Sequence, residues 1–198
     1  MKKIIYSVAI LACSVLFTVS NTQAQSFNVG TSAINLGIGF GTAVGYVGGA
    51  SSGIGISGSY EYGVAVLGPG KVGLGVIINY QGASYSSTDG VGDNYKETWN
   101  TTYFGVRGIY HPDFCNGKNY DVYAGIQLGY VHYGYSETVS GPNSGYFQNS
   151  SGGLSSGVWP GIVVGGRYYF TDNIGAFAEI GYDIDYLKIG LAFKFGTK

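Results

Sequence analysis

Charge is what this chain has least of: among 198 residues, 10 are Lys or Arg and 11 are Asp or Glu, together 11%. A water-soluble domain covers roughly 25 to 35% of its surface with charged side chains, so much of this surface is not built for water. The signs nearly cancel, to a formal net charge of -1, which excludes the basic footprint of a nucleic-acid binder. Cysteine is scarce as well, with only Cys13 and Cys115. Once a leader containing Cys13 is removed, no intrachain disulfide can form, and Cys115 reads as a free thiol in a turn or the end of an intermolecular bridge. Long apolar runs are missing too. Beyond residue 25 no stretch approaches the roughly 18 apolar residues of a spanning helix.

Glycine and tyrosine fill the space left by charge: 36 residues are Gly, about 18% against a usual 7%, and 19 are Tyr. The segment Leu187 to Phe195 shows how they are used. Leu187, Ile189, Leu191, Phe193 and Phe195 alternate with Lys188, Gly190, Ala192 and Lys194, which is the period of a β-strand with one apolar face. Lipid on one side and a narrow polar interior on the other account for both faces. A chain that spans lipid without helices must pair every backbone polar group between strands, and only a closed barrel does that.

The first 24 residues have a different character. Lys2 and Lys3 precede an apolar run from Ile4 to Val19, and Thr22-Gln23-Ala24 ends it with small residues, as in a signal peptide cut after Ala24. Ile10-Leu11-Ala12 before Cys13 suggests a lipidation signal, but apolar residues continue through Val15, Leu16 and Phe17, past where such a signal stops. Cleavage removes two of the 10 basic residues, leaving 8 against 11 acidic, a net charge of -3. Residues 25–198 then form one domain.

Alternation predicts eight strands in that domain: Ala33 to Thr42, Ser52 to Leu67, Lys71 to Ser86, Thr98 to His111, Tyr120 to Ser136, Ser156 to Phe170, Ile174 to Tyr182 and Tyr186 to Phe195. The fold class expected is all-β, a closed eight-stranded antiparallel up-and-down transmembrane barrel. Compact turns at Leu67 to Lys71, Pro112 to Asn119 and Thr171 to Asn173 alternate with longer polar connections at 43–51, 88–97 and 137–155. Asp183-Ile184-Asp185 is short where a long connection is due. Glu61, Arg107, Arg167, Glu179, Lys188 and Lys194 share the face of the strand glycines, so they are expected to form a charge network in the lumen. The pairs expected are Glu61 with Arg107, and Glu179 with Arg167 or Lys188. Such a network serves either as a plug that stiffens the barrel or as a charged constriction in a narrow pore.

Several motifs suggest chemistry and lack its context. Gly53 to Gly58 matches GxGxxG but lies in an alternating strand, with no helix to receive a phosphate. Gly153 to Gly157 matches GxSxG, yet no His follows residue 132. His111-Pro112-Asp113 reads as a turn. A calcium loop starting at Asp89 would place Asn100 where a bidentate Glu is required. His132 sits on the apolar face near one rim, but the sequence His132-Tyr133-Gly134-Tyr135-Ser136-Glu137 lacks the His-x-Ser spacing of membrane-embedded lipid A deacylases. No catalytic residue, cofactor or metal is expected.

From Gly165-Gly166-Arg167-Tyr168-Tyr169-Phe170 through Tyr182, and on to Leu187 to Phe195, the chain resembles the end of small Gram-negative outer-membrane β-barrel proteins of the porin-like family. The resemblance implies export, residence in the cell outer membrane among its lipids, and insertion by the barrel assembly machinery, which reads an aromatic residue at the end of the last strand. Phe195 is that residue here, although Gly196-Thr197-Lys198 follow it. The function expected is structural or surface interaction, with an extracellular partner met through residues 43–51, 88–97 and 137–155. A narrow channel for small solutes is one alternative, and a soluble periplasmic lipocalin-like binder of apolar ligands is another.

Overall fold

The computed structural model describes residues 25–41, 51–90, 92–142, 144, 151–152 and 155–196. The leader and its cleavage site lie outside the described residues. Eight strands follow in order: β1 Ser32–Phe40, β2 Gly55–Val66, β3 Gly70–Thr88, β4 Asn94–Pro112, β5 Tyr120–Ser140, β6 Gly157–Tyr169, β7 Ile174–Tyr182 and β8 Leu187–Phe195. Each pairs antiparallel with its neighbour in sequence, and β1 pairs with β8, so the sheet closes on itself.

The register fixes the shape of the ring. Partners followed once around from Phe195 run through Ser32, Tyr62, Leu74, Gly108, Ile126, Ile162 and Tyr182, and the β7–β8 register then leads to residue 185, ten positions before the start. Eight strands with a stagger of ten tilt by about 43° from the barrel axis and leave an interior just wide enough for side chains. One irregularity interrupts β2, where the register shifts between Gly63 and Ala65. There Gly63 exchanges backbone hydrogen bonds with the segment before β1, donating to Thr31 and accepting from Gly30.

Strand ends agree with the sequence expectation to within a few residues, except on one side. β3 runs on to Thr88, β4 begins at Asn94 and β5 runs on to Ser140, each taking in residues of what reads as loop at 88–97 and 137–155. The β3–β4 pairing continues to Thr88 opposite Asn94, and β5 continues to Ser140 opposite Asn94. Composition hid this extension, because its Ser87, Thr88, Asn94 and Ser140 suit turns, while only Tyr95 and Val139 in it suit a paired strand. Trp99 and Tyr135 pack at 5.6 Å across the pair. Short pieces at Ser51–Ser52 and Ser151–Gly152 add to the edges of this raised wall.

The opposite end carries the tight turns. Gly68 adopts φ +54°, a left-handed value that a side chain resists, while Leu67 donates to the Gly70 carbonyl at 2.9 Å. The segment before β1 folds across this end. Phe27 N–H donates to Asn116 Oδ1 at 3.1 Å, Asn116 Nδ2 donates back to the Phe27 carbonyl at 2.6 Å, and the Phe27 side chain is fully buried.

Candidate functional site: the charged lumen

Strand parity places the polar side chains. Glu61, Arg107, Arg167, Glu179 and Lys188 all point into the ring, and none is more than 3% exposed. Glycine gives them space: a Cβ at Gly73 would collide with the Glu61 carboxylate, and one at Gly165 would sit 2.7 Å from Glu179 Cγ and 2.9 Å from the Tyr123 ring. The sixth expected member, Lys194, stays outside the network. Its ammonium lies 4.5 Å over the Tyr169 ring at the turn end.

The charges pair differently from the sequence expectation. Arg167 donates to Glu61 at 2.6 Å, and Arg107 donates to Glu179 at 2.8 Å. Glu61 and Arg107 do share a row through Gly75, but two strands apart, about 10 Å along the wall. Of that separation, the tilt turns about 6 to 7 Å into a difference in height along the barrel axis. β2 and β6 face each other across the ring, so Glu61 reaches Arg167 through the lumen instead. Lys188, the register partner of Glu179, makes its ion pair with Asp183.

Two residues central to this cluster carried no site expectation. Asp121 accepts from Arg167 Nη1 at 3.0 Å, and His111 sits between Asp121 (Nδ1, 2.8 Å) and Glu61 (Nε2, 2.5 Å). His111 is therefore a buried bridge rather than part of a turn. An imidazolium is the ring form with two N–H donors, and with it three carboxylates face two guanidiniums and one imidazolium. Phe27 stacks on the His111 ring at 3.8 Å, closing the cluster from the turn end. Asn35 and Tyr123 complete it: Arg167 Nε donates to Asn35 Oδ1 at 3.0 Å, and the Tyr123 hydroxyl donates to Glu179 at 2.8 Å. Parity could have found both missed residues. His111 shares the face of Arg107 and Ile109, and Asp121 that of Gly125 and Gln127.

A second cluster lies toward the raised end, and the short connection from β7 to β8 builds it. Asp183, Ile184 and Asp185 are all fully buried. Ile184 packs with Ile77, Tyr103 and Val131 inside the ring. Asp183 Oδ1 accepts the backbone N–H of Ile184 and Asp185 at 2.6 and 2.9 Å. Its Oδ2 takes Gln127 at 2.7 Å, Asn79 at 3.1 Å and the Lys188 ammonium. The connection is short because it turns into the lumen.

The outer face is the converse. Leu36, Ile56, Leu74, Val76, Ile78, Phe104, Val106, Ile126, Leu128, Val158, Ile162, Val164, Ile180, Ile189 and Leu191 are each exposed, at 40% or more. A continuous apolar exterior of this extent around a closed ring matches hydrocarbon rather than water. The fold is that of a small outer-membrane β-barrel. A lipocalin-like binder would turn its apolar face inward, so that alternative fails on the placement of these side chains.

No protein-family model and no curated protein matches the chain. Solved structures of similar fold exist. Ail, the attachment invasion locus protein of Yersinia pestis, solved with the heparin analogue sucrose octasulfate, is 17% identical over 84% of this chain and 99% of its own, with a TM-score of 0.43. The N-terminal β-barrel domain of OprF from Pseudomonas aeruginosa is 16% identical over 85% and 100%, with a TM-score of 0.45. Neisserial surface protein A is 15% identical over 83% and 96%, with a TM-score of 0.43.

The remaining motifs are placed as follows among the described residues. Gly53 to Gly58 leads into β2, and part of Gly153 to Gly157 lies outside the described residues. His132 is exposed on the outer face, with its Nδ1 3.4 Å from Ser156 Oγ rather than beside a carboxylate. Asp89 and Asp93 close the β3–β4 turn, where Asp93 N–H donates to Asp89 Oδ1 at 2.9 Å. No group of three or more His, Cys, Asp or Glu suited to a metal occurs among the described residues.

Proposed function

We propose that this chain is an integral outer-membrane protein without catalytic activity, structural or surface-interacting, whose lumen is plugged by its own charged side chains. One observation carries the reading: an apolar exterior encloses a lumen in which Glu61, Asp121, Arg167, His111, Glu179 and Arg107 are joined in ion pairs across the ring. Such a network stiffens the barrel and obstructs passage, because a solute must break several buried pairs to move through.

Export by a leader cut after Ala24 delivers the chain to the periplasm, and the assembly machinery inserts it using the outward aromatic Phe195 at the end of β8. Outer-membrane lipids then cover the apolar face. The raised wall of β3, β4 and β5 projects from the membrane, and residues 43–51, 88–97 and 137–155 meet the extracellular partner.

Fractionation tests the location. The protein should be recovered in the outer membrane and released only by detergent, whereas recovery from the soluble periplasm refutes the reading. Planar-bilayer recording tests the plug. The purified barrel should be silent; steady discrete conductance that changes on charge reversal at Arg107 or Glu179 would establish the narrow-channel alternative instead.

A further inference from the structure

We propose that the β7–β8 connection is a proton-controlled plug: a neutral Asp185 keeps it seated in the lumen, and loss of that proton releases it toward the outer mouth. The proposal deepens the plugged-barrel reading and rests on it.

The seat is shaped for a carboxyl group and offers it no hydrogen bond. Asp185 is fully buried, and neither carboxyl oxygen has a hydrogen-bond partner. It lies against Gly39 of β1 and Gly55 of β2, which are paired in register. A Cβ at Gly55 would come within 2.8 Å of Asp185 Oδ1, and one at Gly39 would collide with the same carboxyl. These two glycines therefore form the notch that admits the side chain. They supply neither donor nor charge from their side chains, and residues 41–54, which join β1 to β2, contain no Asp, Glu, Lys, Arg or His.

Two charged groups act on Asp185. Asp183 of the same connection opposes its ionisation and Lys188 of β8 favours it, but Lys188 is already engaged by Asp183. Burial dominates, pushing the Asp185 carboxyl from its usual 3.8 up to about 7. The sign follows from that direction. A seated carboxyl with a raised pKa holds its proton more tightly than a released one, so seating is strongest below the ordinary value and weakens as pH climbs from about 4 to about 7. Above that window the seated charge shares Lys188 with Asp183 and has no ion pair of its own. Across the whole window the release equilibrium shifts on the order of a thousandfold, and about a hundredfold of that falls between pH 5 and pH 8. Ile184 leaves the lumen with the loop, because its N–H and that of Asp185 are bonded to Asp183 within the same short segment.

Hydrogen exchange read by mass spectrometry on the purified full-length barrel tests this, comparing wild type with Asp185→Asn at each pH so that intrinsic exchange rates cancel. At pH 8 the wild-type amides of residues 183–186 should exchange 10- to 100-fold faster, relative to the variant, than they do at pH 5. A ratio that stays level from pH 5 to pH 8 overturns the proposal. Unchanged protection of β3 and β4 establishes that the variant is folded, and Asp185→Ser, also neutral and smaller, takes its place if it is not. The membrane reading fails separately, by fractionation, since loop exchange is measured on the purified protein wherever it resides.

Discussion

Replacing Arg167 with methionine tests how the lumen charges are held. Its guanidinium donates to Glu61 at 2.6 Å, Asp121 at 3.0 Å and Asn35 at 3.0 Å, and its central carbon lies 4.4 Å from the Tyr123 ring centroid. None of these partners can turn to water, since each is no more than 2% exposed. Methionine keeps the apolar stem and removes the charge, leaving two carboxylates with His111 alone between them. Removing one partner of a buried pair costs about 3 to 5 kcal/mol, and one cation serving two acids places this change near 5 kcal/mol. That is a third or more of the roughly 5 to 15 kcal/mol by which most domains are stable. Urea unfolding from lipid vesicles, followed by the fluorescence of Trp99 and Trp159, measures it. Adding Glu61→Gln and Asp121→Asn removes the stranded charges and should restore more than half of the loss. Salt should change little, because the pairs are shielded from solvent ions. A loss below about 1 kcal/mol, the size of a surface pair, or a triple variant no better than the single one, refutes the reasoning.

Other substitutions probe the remaining layers. Phe27→Ala removes the ring stacked at 3.8 Å on His111 and should cost about 3 kcal/mol, with faster proteolysis of residues 25–31 while the strand amides stay protected. Leu191→Arg places a charge on the lipid face midway along β8 and should cost about 2 to 4 kcal/mol in vesicle unfolding; unchanged stability would contradict its outward placement. The next residue behaves differently. Ala192→Leu enlarges a fully buried side chain packed with Tyr169 and Phe177, so overpacking of about 1 to 3 kcal/mol is expected in the same assay. Mass spectrometry of protein recovered from membranes should give an N-terminus at Gln25, and any other mature end refutes cleavage after Ala24.

Faces were legible from the sequence, and contacts were not. Alternation assigned Leu187, Ile189 and Leu191 outward and Lys188 inward without any tertiary information, because a strand offers only two directions. The same rule reached as far as His111 and Asp121, which lay on the inward parity but were hidden by a turn-like tripeptide and a strand start. It failed at β3, β4 and β5, where polar residues continue a paired strand above the membrane belt. It had nothing to say about Asp183-Ile184-Asp185, since three residues carry no period.

Composition and period two determined that this chain makes a closed ring with an apolar exterior and charge inside: scarce charge, abundant glycine and alternating apolar residues are local properties of the strands. Only the tertiary structure decided which charges meet. The tilt that goes with a stagger of ten carries row neighbours to different heights, and closure of eight strands in order sets β2 opposite β6, so Glu61 pairs with Arg167 across the lumen rather than with Arg107 along the wall. The inward course of the β7–β8 connection was likewise a tertiary outcome. Gly39 and Gly55 leave room for Asp185, and Ile184 finds apolar neighbours in the upper lumen that no part of its own segment could supply.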